Sequence, residues 1–322
     1  MLSKFVIFGD SDEHYKSAYK DIINLSNVRY IGGLMESEKG IIKTIHRFHL
    51  SPKLNKYISL PLKKKWYSLY YNDSLMEKPD YFLFFSRYNI LIESDYINYL
   101  RNKYPDAKMV LYFQDLIKTH PKLIIDEIKE RFDLVISYDR FEAEKNSIEF
   151  YPSVYSSSDI DTYNLNNNSV LFLGKAKDRL MEIIHLYELL TKNDIECDFY
   201  LTQVPKDQQI YNDKIHYINW MDYNTYLSKV RKCGCLIELL QKDANSATFR
   251  TCESIVYNKK LLTNNKEILN LSLYKRGNIS LMKSIDSIDV AFLKSPIKYF
   301  YTDEEKESFS PIHLLEFIEN RI

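Results

Sequence analysis

The chain has 322 residues, with 44 basic and 44 acidic side chains, and 45% of its residues are hydrophobic. That length allows two domains of ordinary size, and that apolar content excludes a disordered chain. Zero net charge leaves no whole-molecule field to draw a polyanion, so nucleic acid is not expected among the partners.

The first half alternates short β-rich runs with helical patterns. Strands are expected at "FVIFG" (5–9), "VRYIGG" (28–33), "YFLFF" (81–85), "MVLYF" (109–113) and "LVISYD" (134–139). Amphipathic segments such as 15–25 and 94–104 lie between them, which predicts a parallel sheet covered on both faces. The apolar run at the N-terminus stops at Gly9 and Asp10, too short for a signal segment, and no stretch approaches a membrane span of about 20 apolar residues. A cytoplasmic location follows, with peripheral contact at the inner face of a membrane left open.

Residues 39–71 break the rhythm. Lys39, Lys43, Arg47, Lys53, Lys56, Lys63, Lys64 and Lys65 occur there with no acid between the first and the last, and Trp66, Tyr67, Tyr70 and Tyr71 follow. The patch suits an anionic membrane surface or a phosphorylated acceptor; a solvated face is the plain alternative.

An asparagine-rich polar stretch at 156–168 is the expected linker. The αβ alternation then resumes through "VLFLG" (170–174), 177–193, "CDFYLT" (197–202), 215–219, 223–233, "CLIELL" (235–240), 249–258, 260–264 and 279–282. The organisation is an N-terminal Rossmann-like domain at 1–155, a second at 169–297 and a tail at 298–322. A Ser-Pro helix start marks 310–322, and this helix could return to the N-terminal domain. The fold class is α/β, two Rossmann-like domains facing across a cleft. Cys197, Cys233, Cys235 and Cys252 have neither disulfide-framework nor zinc spacing, so buried thiols and no metal site are expected.

Ligands of doubly wound sheets bind beyond the carboxyl ends of strands. In the second domain, Gly174, Lys175, Lys177 and Arg179 follow "VLFLG" as a helix starts, a place suited to a diphosphate. Trp220 and Met221 follow another strand and could bracket a planar base or simply pack. "NSATFRTCE" (245–253) puts Asn245, Ser246 and Thr248 in a loop, and Arg250 and Glu253 in the first turns of a helix. Arg250 offers a fork for phosphate oxygens, and Thr248 could cap the helix whether or not a ligand binds. In the first domain Asp10 and Asp115 stand at strand ends as candidate general bases, Asp10 preferred, though each could equally serve as a loop acid or cap.

The run "FLGKAKDR", "INWMDYNTYLSKVRKCGCLIELL" and "NSATFRTCESIVYNKKLLTNN" resembles the donor domain of GT-B glycosyltransferases, those of bacterial capsule and lipopolysaccharide synthesis in particular. "RFDLVISYDRFEAEKNSIEFYPSVY" (131–155) is similar to the segment that leads to their linker. The resemblance implies a metal-independent hexosyltransferase-type enzyme without a cofactor, in surface polysaccharide synthesis. The second domain would hold a nucleotide sugar, UDP being the expected nucleotide, and the first a glycan or lipid-linked acceptor. It implies that Glu253 bonds the ribose and Arg250 faces the diphosphate. Many retaining members carry two glutamates with seven residues between them; Asn245 stands where the first would be, which leaves the stereochemical outcome open. A non-catalytic nucleotide-sugar-binding module and a two-domain solute-binding protein are the alternatives.

Overall fold

The computed structural model describes residues 3–35, 40–51, 54, 57–58, 60–71, 76–86, 89–92, 94–157, 166–241 and 244–322. The chain forms two compact units. One comprises 1–138, 142–151 and 314–322, and the other 139–141 and 152–313. Most of the expected linker lies outside the described residues, and the first strand of the second unit already begins at Asn166.

The first unit holds six parallel strands, β1 (Phe5–Phe8), β2 (Val28–Ile31), β3 (Tyr81–Phe85), β4 (Lys108–Phe113), β5 (Leu134–Ser137) and β6 (Glu149–Phe150), in the order β2-β1-β3-β4-β5-β6. All of β1, β3 and β5 is buried, as continuous apolar runs require when both sheet faces are covered. Phe8 stacks on Phe84 at 4.8 Å and meets the edge of Tyr96, from the helix Tyr96–Lys103, at 5.8 Å. The expected helix at 15–25 is broken into Glu13–Ala18 and Lys20–Ile23 at Tyr19, a fully buried ring that sits outside helical geometry. The C-terminal helix Pro311–Glu319 brings Phe317 against Tyr151 at 4.8 Å.

Helix Ile41–His49 is turned against the usual rule. Its inward face carries His46, which meets the Tyr70 hydroxyl at 3.0 Å, and His49, whose Nδ1 accepts from the Trp66 indole at 2.7 Å. Ile41, Ile42, Ile45 and Phe48 face outward and are exposed. Among the described residues no helix is long and apolar enough to cross a membrane.

The second unit holds β7 (Asn166–Lys175), β8 (Glu196–Thr202), β9 (His216–Tyr217), β10 (Cys233–Glu238), β11 (Lys260–Thr263) and β12 (Ile279–Leu281). All pairings are parallel and the order is β12-β11-β10-β7-β8-β9. Ile183, Ile184, Leu186, Tyr187 and Leu190 of the helix Leu180–Lys192 pack one face of this sheet. Lys260, itself 1% exposed, gives its ammonium to the carbonyls of Asn167, Phe292, Leu293 and Ser295. A buried cation at the end of the helix Val290–Lys294 is offset by the carbonyl dipoles it meets there.

Candidate functional site

The strand order of the second unit reverses between β7 and β10: the chain runs outward through β8 and β9, then returns to the other side of β7. In such sheets the crevice at the reversal is where ligands bind. A cavity of about 600 Å³ opens at this end. Asp178, Arg179 and Glu182 line it from the start of the helix after β7, Gln241 and Asn245 from the loop after β10, and Asn264 and Lys266 from the turn after β11.

Hydrogen bonds lace these three segments together. Lys177 donates to Gln241 Oε1 at 2.8 Å, and Leu240 N donates to Asn264 Oδ1 at 2.7 Å. Arg179 donates to the carbonyl of Leu239 and, at 2.6 Å, to that of Lys175. Its Nε is buried with no partner among the described residues. Burial pulls this guanidinium below the usual arginine range, an effect partly offset by Asp178 and Glu182. Lys177 adopts φ +48°, a left-handed conformation uncommon for a side chain of its size. The loop is further pinned by Asn265, which donates to the carbonyl of buried Ser246 at 2.8 Å, and by Asn245 N, which donates to Asp139 Oδ2 at 2.8 Å.

Beneath the loop lies the helix Phe249–Val256. Thr248 is its N-cap, accepting from Arg250 N at 3.0 Å. Glu238, at the end of β10 and 4% exposed, collects three threonine hydroxyls: Thr248 at 2.5 Å, Thr251 at 2.9 Å and Thr263 at 2.5 Å. A buried carboxylate so placed ties β10, the helix and β11 into one floor, since each hydroxyl offsets part of its desolvation. Arg250 Nη1 lies 3.4 Å from Glu253 Oε2 and donates to the Tyr226 hydroxyl; Nη2 donates to the Leu173 carbonyl at 3.1 Å.

Of the residues singled out from sequence, Arg179 and Asn245 line the cavity. Lys177 is bonded to its rim, and Thr248, Arg250 and Glu253 lie in and under the adjoining helix. Gly174 and Lys175 end β7. A Cβ at Gly174 would meet Phe172 no closer than 3.6 Å, an ordinary contact, so packing within the chain does not demand a glycine there. Trp220 and Met221 stand after the outermost strand β9 and do not line the cavity; Trp220 is 71% exposed. Asp10 and Asp115 belong to the first unit, after β1 and β4. That sheet reverses between β1 and β3, which puts Asp10 at its switch point. Tyr30 donates to the Asp10 carbonyl at 2.9 Å and crosses so close to Gly9 that a Cβ there would come within 2.1 Å of its hydroxyl. Asp10 Oδ1 accepts from Asp12 N at 2.9 Å, and Asp115 is exposed.

Sequence reasoning missed Glu238, Gln241, Asn264, Lys266 and Tyr226. "TNNK" after β11 is a strand-end polar cluster of the kind that pointed to the other loops, so Asn264 and Lys266 had a usable signal; Glu238 and Tyr226 had none.

No protein-family model and no curated protein matches the chain. Solved structures do. An alpha-glucosyltransferase in complex with UDP-glucose and DNA containing an abasic site has a TM-score of 0.57 at 13% identity, over 98% of this chain and 99% of that one. An alpha-glucosyltransferase in complex with UDP and a 13-mer DNA containing a central A:G mismatch gives 0.53 at 12% identity, over 99% and 100%. Sucrose-phosphate synthase from Thermosynechococcus elongatus gives 0.51 at 10% identity, over 98% and 87%. At such identities the likeness is one of fold: α/β, two Rossmann-like domains, as in GT-B glycosyltransferases. The expectation that nucleic acid is not a partner is corrected by these structures, because two proteins of this fold are held on DNA. Net charge is a sum over the whole molecule, and a neutral chain with a local cluster of cations can still meet a phosphate backbone.

Proposed function

We propose that the chain is a glycosyltransferase that takes a sugar from a nucleoside-diphosphate donor, a UDP-sugar, bound at the β7/β10 switch point of the second unit. The observation that carries this reading is the convergence of Arg179, Lys266 and the polar residues Gln241, Asn245 and Asn264 on one cavity at the carboxyl ends of β7, β10 and β11, with Lys177 bonded to Gln241 at its rim. Departure of the nucleoside diphosphate builds negative charge on its terminal phosphate. Fixed cations at that charge lower the barrier without reorganising in the transition state. The reading gives this task to side chains, so transfer is proposed to be metal-independent.

The fold relatives support UDP as the nucleotide, since two of them hold UDP or UDP-glucose. In the reaction an acceptor oxygen forms the new bond to the anomeric carbon while the bond to the diphosphate breaks. The hydroxyl proton passes to a carboxylate. Asp10 is proposed as that base because it stands at the switch point of its sheet, with Asp115 second. The acceptor is a hydroxyl compound, and DNA joins the acceptor panel because fold relatives were solved with it.

The testing experiment incubates the protein with UDP-sugars and follows UDP release, with and without acceptors. D10N is expected to keep UDP binding and lose transfer. A D10N protein that transfers at the parental rate removes Asp10 from the mechanism.

A further inference from the structure

Large apolar side chains left in water are concentrated in one stretch of the first unit. Of the sixteen that are exposed among the described residues, eight lie within 41–69, so the exposure is local rather than scattered. In the helix Ile41–His49, the residues Ile41, Ile45 and Phe48 recur at helical spacing and share one face, where they are 77%, 50% and 62% exposed. Polar contacts hold the helix this way round. His46 meets the Tyr70 hydroxyl, and His49 Nδ1 accepts from the Trp66 indole. His49 Nε2 therefore carries the ring proton and donates to the Pro61 carbonyl at 2.7 Å. That bond sets the segment 61–66 beside the C-terminal end of the helix, and brings the exposed side chain of Leu62 to that end.

Cations flank the apolar face. Lys43 and Arg47 stand four residues apart on the helix, with exposed Thr44 between their row and that of Ile41 and Phe48. Lys63, Lys64 and Lys65 follow Leu62, and Lys64 pairs with Asp95. The sequence carries no Asp or Glu from 39 to 71. A nucleic-acid duplex would answer the charge, but its phosphate backbone would leave the isoleucines in water. A second copy of the chain, docked through the same face about a two-fold axis, would set these cations against their own copies. An anionic bilayer answers both properties at once. Its acyl region takes the apolar row, and its headgroup phosphates meet cations whose long stems reach up from beside that row.

We infer that the helix Ile41–His49, with the adjoining Leu62–Lys65 turn, is a docking surface for an anionic lipid bilayer. Ile41, Ile45 and Phe48 enter the interface while Lys43 and Arg47 stay among the headgroups. The helix lies in the membrane surface and does not span it. This inference is independent of the donor-site reading, since it uses residues of the first unit alone.

The test is co-sedimentation of the full chain with vesicles of phosphatidylcholine alone and of phosphatidylcholine mixed equally with phosphatidylglycerol. The parent is expected to bind the mixed vesicles, and the neutral ones more weakly by about tenfold or more. K43Q/R47Q is expected to weaken binding to the mixed vesicles by about thirtyfold, the scale of two cations at such a surface. I45S/F48S keeps every charge and is expected to lose about tenfold or more. I41S, at the most exposed of these helix positions, repeats that test with one side chain and should lose about threefold, so it stays informative if the double variant does not fold. A parent that ignores the mixed vesicles overturns the inference. So does full binding by folded I45S/F48S or by I41S, because charge alone would then adsorb the chain. Duplex DNA binding that K43Q/R47Q weakens, without vesicle binding, would give the patch to a polyanion instead. A dimer in sedimentation velocity that I45S/F48S dissociates, again without vesicle binding, would give it to a second copy. None of these results bears on UDP binding, which is measured separately.

Discussion

Thr248 gives its hydroxyl proton to Glu238 at 2.5 Å while its oxygen accepts from Arg250 N and caps the helix that carries Arg250. One short side chain therefore joins a buried carboxylate to the helix terminus at the candidate site. Replacing it removes the cap and one of the hydroxyls that offset the burial of Glu238. T248A is expected to cost about 2 kcal/mol, and T248S well under half of that, since serine keeps both bonds. Urea unfolding of the two variants checks this. Equal midpoints for T248A and the parent would show that the bond carries no weight.

The cavity cations should act together and through charge. K266A and R179A are each expected to weaken UDP binding by about tenfold. Binding to the parent should fall with added salt, as partly exposed charges are screened over about 8–10 Å at ordinary ionic strength. EDTA should leave UDP release unchanged. A loss of turnover in EDTA that manganese or magnesium restores would refute side-chain stabilisation of the leaving group.

Acidification should loosen the helix Ile41–His49. Burial, helped by neighbouring His49, lowers the His46 pKa below its ordinary value of 6.5. The unfolded chain then binds the proton more readily than the folded one between 6.5 and the lowered value. Stability contributed by neutral His46 is therefore present above 6.5 and is lost as the pH falls through that window. Trp66, which donates to His49 and meets the His46 ring edge at 5.2 Å, reports on it. In a W220F background its fluorescence should titrate in this window, and the H46F variant should abolish the titration. A signal that titrates identically in the parent and in H46F contradicts the assignment.

The four thiols should be inert in the folded protein. Burial pushes Cys197 and Cys233 each up to about 12, and moves Cys235 and Cys252 further in the same direction. At pH 8 a thiol reagent is expected to find none of them within minutes, and all four once the chain is unfolded. Rapid native labelling of any buried thiol would mean that the second unit opens readily.

Much of the α/β fold could be read because buried parallel strands are written as uninterrupted apolar runs, and "FVIFG", "YFLFF" and "CLIELL" are of that kind. The short strand Glu149–Phe150 carries no such run, and its place in the sheet comes from pairing with β5. Tyr19 broke an expected helix because a ring that must be buried outweighed helical continuity. Ile41, Ile42, Ile45 and Phe48 have a spacing that normally marks a core face, yet His46 and His49 take the inside, where the Tyr70 hydroxyl and the Trp66 indole meet them. At the site, Thr248 and Arg250 were legible from cap chemistry and helix position. The role of Glu238 was not, since an acid inside an apolar run reads only as an anomaly until Thr248, Thr251 and Thr263 are seen around it. Asn245 is held through its backbone N–H, a contact no side-chain pattern can announce.

The most direct measurement is UDP binding to the full chain by isothermal titration, with the K266A, R179A and R250A variants alongside the parent. Saturable binding of UDP by the parent, weakened in all three variants under conditions where each is still folded, is the predicted result. No heat and no thermal stabilisation with UDP or any other common nucleoside diphosphate would contradict the donor site at β7 and β10.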